Sequence, residues 1–471
     1  MTTSSNDSTM SSDPTTPADP TMSSDPTSLT DPAVNREMTR RQVLVGLGTT
    51  AAVAATGLAM PVRNGGGAFV SIEAAGAAVS ELAPLGQVAP TPAATKKAPG
   101  ILVLVTLYGG NDGLDTLIPY ANSAYLAGRG ALAVGADRVL TLDPEFGLHP
   151  SMVGFKKLWD DQKLAIVRGV GYPNPNRSHF RSMDIWQSGV PDRAEVSGWL
   201  GRWQDATSTD PLRMLSLGPS VPRALIGLKG GGGSALPNGQ VVLPGGAGIT
   251  NAFVELGRGL AGSELGPWGA KVGSSVTNLV RVIDQLGPIL KNGTQSAETA
   301  SLEGGSAANG DSNSVLDSQL TDVATLIKGD APTRVYSVAL GGFDTHAREQ
   351  DQHARLLGTV DGAISRFLAS LANQPRAAGV TVVVYSEFGR RVSANLSDGT
   401  DHGTAAPVFV VGPGVRGGFY GEPPSLTDLD QGDLKYTTDF RSVYASILAD
   451  VLGVDPSVTL SGSWPRLPFL R

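Results

Sequence analysis

The 471-residue chain contains no cysteine. That absence excludes disulfides, zinc–thiolate centres and a cysteine nucleophile. Histidine is scarce as well, with only 5 residues to carry any imidazole chemistry. Charged residues make up 17% of the chain, its formal net charge is −7, and no Lys/Arg-rich run occurs. Nucleic acid is therefore not an expected partner, because neutralising phosphates requires clustered cations. The stretch that follows Arg41 is the best candidate for a membrane span, but it is too rich in Gly and Thr for a permanent one. What the chain has in plenty is Gly (60) and Pro (32), which implies many loops and turns, and 41% apolar residues, enough for a packed core.

The first hundred residues differ from the rest. Residues 1–38 are dominated by Ser, Thr, Asp and Pro, and MSSDPT occurs twice, at Met10 and Met22. A segment of this composition buries too little apolar surface to offset its ordering entropy, so disorder is expected; Met38 is an alternative start. Thr39-Arg40-Arg41 then opens a weakly apolar stretch reaching Pro61. Paired arginines before a short run of small apolar residues predict a twin-arginine export signal, with the twin-arginine translocase as partner and a secreted, extracytoplasmic destination. Residues 62–98, rich in Gly, Ala and Pro, read as a linker.

Residues 99–471 read as one large domain. Unbroken apolar runs lie at Ile101–Leu107, Leu164–Val170, Leu212–Leu217, Arg334–Leu340, Val380–Tyr385 and Pro407–Val411. Runs without polar alternation suit strands covered on both faces. Helical periodicity appears between them, at Ser151–Trp159, Val276–Leu290, Val315–Ile327, Gln352–Leu371 and Phe440–Leu452. The alternation predicts an α/β fold, a largely parallel sheet with helices on both faces. Lys229–Ser234 and Asn292–Ser314 are expected to be surface loops.

Ligands of open α/β sheets bind beyond the carboxyl ends of the strands. Four polar segments sit there: Gly109–Gly113, Asn176–His179, Phe343–His346 and Ser386–Arg390. A fifth, Thr400–Thr404, immediately precedes a strand. Carboxylates and imidazoles converging from several strand ends form a donor set for a divalent metal. Each segment alone also reads as an ordinary turn or helix cap. Ser178 in particular is a natural N-cap for a helix running to about Ser188.

From Ile101 onward the chain resembles a bacterial family of twin-arginine-exported proteins catalogued as a domain of unknown function and grouped with the alkaline phosphatase and sulfatase superfamily. The resemblance is carried by YGGNDGLDTLIPY (108–120), FGLHPSM (146–152), GYPNPNRSHFRSMDIWQSG (171–189), GGFDTH (341–346), SEFGRR (386–391) and TDHGTAAPVFVVG (400–412). It implies an alkaline-phosphatase-like fold and one or two divalent metal ions (Zn, Mn, Mg or Ca). Asp112, Asp344, His346, Glu387, Asp401 and His402 are the implied ligands. Ser178 is the implied nucleophile. Of its neighbours, His179 is a candidate for proton transfer and Arg177, Arg181 and Asn111 for holding substrate, the two arginines reading equally well as surface ion pairs. Two departures from the superfamily pattern stand out: Asp344 and His346 are closer together than its usual pair, and Phe388 stands where it places a His. The sulfatase Cys-x-Pro-x-Arg signature is absent.

The leading expectation is an exported metal-dependent hydrolase of phosphate or sulfate esters. Its rival is a non-catalytic exported protein of the same fold that binds an anionic polymer or partner at the cell surface. Metal and nucleophile gathered in one cavity would favour the enzyme. His149, before Pro150, reads as structural, and Tyr172, Trp186 and Trp199 read as core or pocket wall.

Overall fold

The structure, a computed structural model, describes residues 100–229, 232–237, 247–261, 266–302 and 315–471. The low-complexity start (1–38), the export signal (39–61) and the linker (62–98) lie outside the described residues. So does most of one expected loop, residues 303–314.

The six apolar runs form six strands of one nine-stranded sheet among the described residues, and three short strands complete it. Its strands are β1 (Ile101–Leu107), β2 (Leu164–Gly171), β3 (Met214–Ser216), β4 (Ser234–Ala235), β5 (Val335–Leu340), β6 (Val380–Ser386), β7 (Ala406–Val411), β8 (Gly418–Tyr420) and β9 (Thr438–Asp439). The order is β8-β2-β7-β6-β1-β5-β3-β4, with β9 also paired to β2. All pairings are parallel except those of β7, which runs antiparallel to both β2 and β6.

The apolar runs are unbroken because both faces of the sheet are covered. In β1, Ile101, Val103, Val105 and Leu107 point into one core and Leu102 and Leu104 into the other, the period-2 alternation of a strand. The first core is closed by helices α1 (Val153–Asp160), α4 (Val315–Lys328) and α5 (Glu349–Ser370), through Phe155, Leu320, Val323, Leu357 and Ile364. The second is closed by α2 (His179–Ser188), α3 (Trp199–Thr207) and α6 (Phe440–Asp450), through Met183, Trp186, Trp199, Trp203 and Ile447. Three further α-helices among the described residues are Ser123–Arg129, Ala247–Ala261 and Gly266–Leu302.

Two expected loops are corrected. Residues 292–302 continue the helix Gly266–Leu302, because Ala, Thr, Ser and Gln there permit helix even without a strong apolar period. Ser234, expected at a loop's end, starts the edge strand β4, paired to β3. Trp199 and Trp186 are core residues, as read. No described helix is long and apolar enough to cross a membrane.

Candidate metal centre

Register places the polar segments together. Leu107 pairs with both Leu340 and Ser386, so the residues following these three parallel strands leave the sheet along one edge. Because β7 is antiparallel, its start lies at that same edge, with Ala406 opposite Val170. The segment 400–404 before β7 and the segment 172–179 after β2 therefore arrive beside Asp344 and Glu387. Strand direction explains why four polar segments follow strands while the fifth precedes one.

Three imidazoles converge on one carboxylate oxygen. Asp344 Oδ1 lies 3.0 Å from His346 Nε2, 3.1 Å from His402 Nε2 and 3.5 Å from His179 Nε2. His346 Nε2 and His402 Nε2 are 2.9 Å apart. In each ring the other nitrogen faces an acceptor. His179 Nδ1 is 2.8 Å from Glu387 Oε1, His402 Nδ1 is 2.8 Å from the Arg177 carbonyl, and His346 Nδ1 is 3.5 Å from Asp401 Oδ1. A carbonyl can only accept, so His402 carries its proton on Nδ1; the Glu387 carboxylate dictates the same tautomer for His179. In the neutral rings both Nε2 lone pairs then point at an anionic oxygen.

His179 Nε2 is buried and has no hydrogen-bond partner. Burial lowers the pKa of His402, which opposes relieving the conflict by protonating that ring. Burial would raise Asp344, but the hydrogen bond and positive charge of Arg390 bring it down to about 2. A cation among these atoms resolves the arrangement. Tetrahedral ligands at zinc distances stand about 3.3 Å apart, close to the separations found here. His179, Asp344 and His402 offer ligand atoms that all lie within 4.8 Å of one another, and His346 extends the set.

Arg390, which the sequence reading passed over, holds this edge together. It is buried and donates to the carbonyls of Gly109, Gly110, Phe343 and Thr400 and to Asp344 Oδ1, tying three segments to one guanidinium. Phe388, noted only as a missing His, packs its ring 4.9 Å from His179 and 4.8 Å from His402. It walls the imidazoles on their apolar side.

Other expected residues stand elsewhere. Glu387 sits behind His179, its Oε1 also accepting from Gly109 N and its Oε2 from Ser386 Oγ. Asp112 is fully buried against Arg129, with Oδ1 accepting from Arg129 Nη2 (2.8 Å), Leu114 N (2.9 Å) and Asp115 N (3.1 Å), and Oδ2 bound to Arg129 Nη1. Burial opposes its charge, yet the Arg129 guanidinium holds its carboxyl well below the usual range. The guanidinium stands where a metal was expected. Asn111 is buried too, bonded to Thr116 and His353. Arg177 is paired with Asp433, and Arg181 donates to the carbonyls of Pro191 and Arg193. Asp401 is exposed at the rim near His346. His179, expected to move protons, has one nitrogen on Glu387 and turns the other to Asp344. His149 and His353 form a buried edge-to-face pair, pushed down by burial to about 4 and about 3. Both are neutral and structural.

Ser178 is the N-cap residue of α2, with φ −84° and ψ 125°, but its hydroxyl makes no capping bond and the residue is exposed. It lies between Arg177, whose carbonyl receives His402, and His179.

The fold is similar to several solved structures. A protein in the alkaline phosphatase superfamily from Vibrio parahaemolyticus is 9% identical, with a TM-score of 0.37 over 78% of this chain and 70% of that one. The PsFucS1 sulfatase from Pseudoalteromonas sp. is 10% identical, with a TM-score of 0.35 over 76% and 68%. A phosphonate monoester hydrolase of Agrobacterium radiobacter is 11% identical, with a TM-score of 0.28 over 75% and 74%. No curated protein sequence matches the chain. Residues 294–462 match the family described as protein of unknown function (DUF1501).

Proposed function

We propose that the chain is an exported, metal-dependent hydrolase of phosphate or sulfate esters. The observation that supports this best is the turning of three imidazole Nε2 atoms toward Asp344 Oδ1, with each Nδ1 anchored from behind. Metal-binding histidines are usually oriented in this way by an outer acceptor. Three imidazoles and one carboxylate suit zinc or manganese better than calcium or magnesium, which prefer oxygen donors. When bound, such an ion would supply positive charge to the ester's oxygens and favour ionisation of a nearby hydroxyl.

The chain's own groups do the rest. The first turn of α2 directs backbone N–H groups and the positive end of its dipole toward an anion held near Ser178. Ser178 Oγ, unencumbered by a capping bond, forms the new bond to phosphorus or sulfur as the bond to the alcohol oxygen breaks. The alcohol leaves with a proton, balancing the one Ser178 gives up to solvent, and water then cleaves the seryl ester. His179, held by Glu387, keeps its ring fixed throughout.

The test is metal analysis of the purified chain, followed by a screen of phosphate and sulfate esters with wild type and Ser178→Ala. The expected result is about one bound ion, turnover by wild type, and loss of turnover in Ser178→Ala with the ion retained. Full activity in Ser178→Ala removes Ser178 from the mechanism; a folded protein that takes up no ion removes the reading. One observation favours the binding-protein alternative: Arg177 and Arg181 are engaged by Asp433 and by carbonyls rather than free to clamp a transferring group. Metal-dependent binding of anions with no ester turned over would establish that alternative.

A further inference from the structure

Arg129 is the last residue of the helix Ser123–Arg129, and its side chain is fully buried. Oxygens surround its guanidinium. Nη1 and Nη2 bind the two oxygens of Asp112, the second at 2.8 Å, and Nη1 lies 3.3 Å from Asp115 Oδ2. Nη2 also donates to the Arg391 carbonyl (3.1 Å), and Nε donates to the Val392 carbonyl (2.9 Å). Two carboxylates and two backbone carbonyls, brought together from separate segments, are the donor set of a hard cation. Calcium suits it best, since it takes about six to eight oxygens in a flexible geometry.

A second observation points to a cation of higher charge. Glu349, at 1% exposure, turns Oε2 to Thr400 Oγ1 (2.7 Å), and the same hydroxyl lies 3.4 Å from Asp112 Oδ2. Its other oxygen, Oε1, is buried and has no hydrogen-bond partner. A buried carboxylate oxygen left unpaired costs free energy. Burial raises both Glu349 and Asp115. Three carboxylates around one monovalent cation leave the deficit that a divalent ion would fill.

The guanidinium also braces the metal centre. Arg390–Ala394 and Thr400–His402 form a two-stranded hairpin in which Arg390 pairs with His402. By holding the carbonyls of Arg391 and Val392, Arg129 fixes the strand against which His402 lies. The same side chain grips Asp112, on the turn after β1. A metal at Asp112, which the resemblance implies, does not fit this chain, because the guanidinium already fills the oxygens that would hold it.

We propose that Arg129 is a built-in substitute for a divalent cation: it permanently fills an oxygen cage that would otherwise bind calcium, and it positions His402 through the hairpin without a second metal ion. The positioning role rests on the metal-centre reading; the cage does not. The test separates them. The full chain is dialysed to equilibrium against radiolabelled calcium as wild type, Arg129→Ala and Arg129→Lys, and each is repeated in a His402→Ala background. In both backgrounds Arg129→Ala is expected to take up about one calcium ion more than its parent. Arg129→Lys, which keeps a positive charge in the cage, is expected to take up none beyond its parent. Zinc affinity of Arg129→Ala, read by chelator competition, is expected to fall about tenfold or more without calcium and to recover when calcium is added. A merely structural ion pair would show neither the gain of calcium nor the recovery. The cage is overturned if Arg129→Ala gains no calcium, or if Arg129→Lys gains as much. It is equally overturned if Arg129→Ala stays unfolded in millimolar calcium, because an ion that fits the cage would restore the fold. Loss of zinc affinity that calcium does not restore overturns the positioning role. Extra calcium in Arg129→Ala, from a chain whose wild type takes up no zinc, leaves the cage standing and removes the metal-centre reading together with the positioning role.

Discussion

Asp344 Oδ1 is surrounded by three imidazole nitrogens and one guanidinium, and the residues behind it decide how well that shell is held. Glu387→Gln keeps the shape but weakens the acceptor that orients His179, so affinity for zinc should fall about 10–100-fold, read by chelator competition. An unchanged affinity would mean that packing against Phe388 alone orients the ring. A second residue-scale prediction concerns Glu349, buried with Asp112 and Asp115 around a single Arg129. Burial, reinforced by the Asp112 charge, pushes Glu349 up to about 9. Between its unfolded pKa and that value the folded state keeps a proton that the unfolded chain releases, so its ionisation in the unfolded chain lowers stability as pH rises. Glu349→Gln removes this penalty. The variant should therefore gain stability relative to wild type from about pH 4.5 to about pH 9. Denaturant melts at several pH values check the sign; a gain that shrinks as pH rises refutes it.

At the scale of elements, the turn after β1 shows how backbone sets the site. Gly110 has φ 72°, and a Cβ there would lie 2.2 Å from the Phe388 ring. Gly110→Ala must therefore adopt a strained backbone or displace the ring that packs on His179 and His402. We expect a loss of about 1–3 kcal/mol of stability together with weaker metal binding. Adding Phe388→Leu should return part of the stability but not the metal affinity, which a double-mutant cycle can read. Parallel register likewise explains why Asp344 and Glu387 meet although 43 residues separate their numbers: β5 and β6 both pair with β1 at Leu107.

For the whole molecule, metal and fold should be linked. An ion present at about 100 times its Kd adds about 2.7 kcal/mol to stability, so EDTA should lower the melting temperature of wild type but not of His402→Ala. Equal shifts in the two proteins would place the ion elsewhere. Export is tested by replacing both Arg40 and Arg41 with Lys, which should trap the chain inside the cell; normal appearance outside would refute the twin-arginine route.

Much of the architecture was legible in the chain itself. Apolar runs of five to seven residues suit strands covered on both faces, and six of the sheet's nine strands lie where those runs do, within about two residues. The start of α2 at His179 was legible for a similar local reason, a Pro-rich turn before Ser178. The likeness to the family matched over residues 294–462 was legible in the long motifs. The partners of individual side chains were not legible, because pairing depends on residues distant in sequence. Asp112 meets Arg129 and Glu387 meets His179 only once helix and loop are packed on the sheet edge. A carboxylate beside a strand end looks the same in one dimension whether it faces a cation site or a buried guanidinium. Only the tertiary structure, by choosing which counter-charge each buried group must have, separated Asp344 from Asp112 and brought His179 into the candidate metal centre.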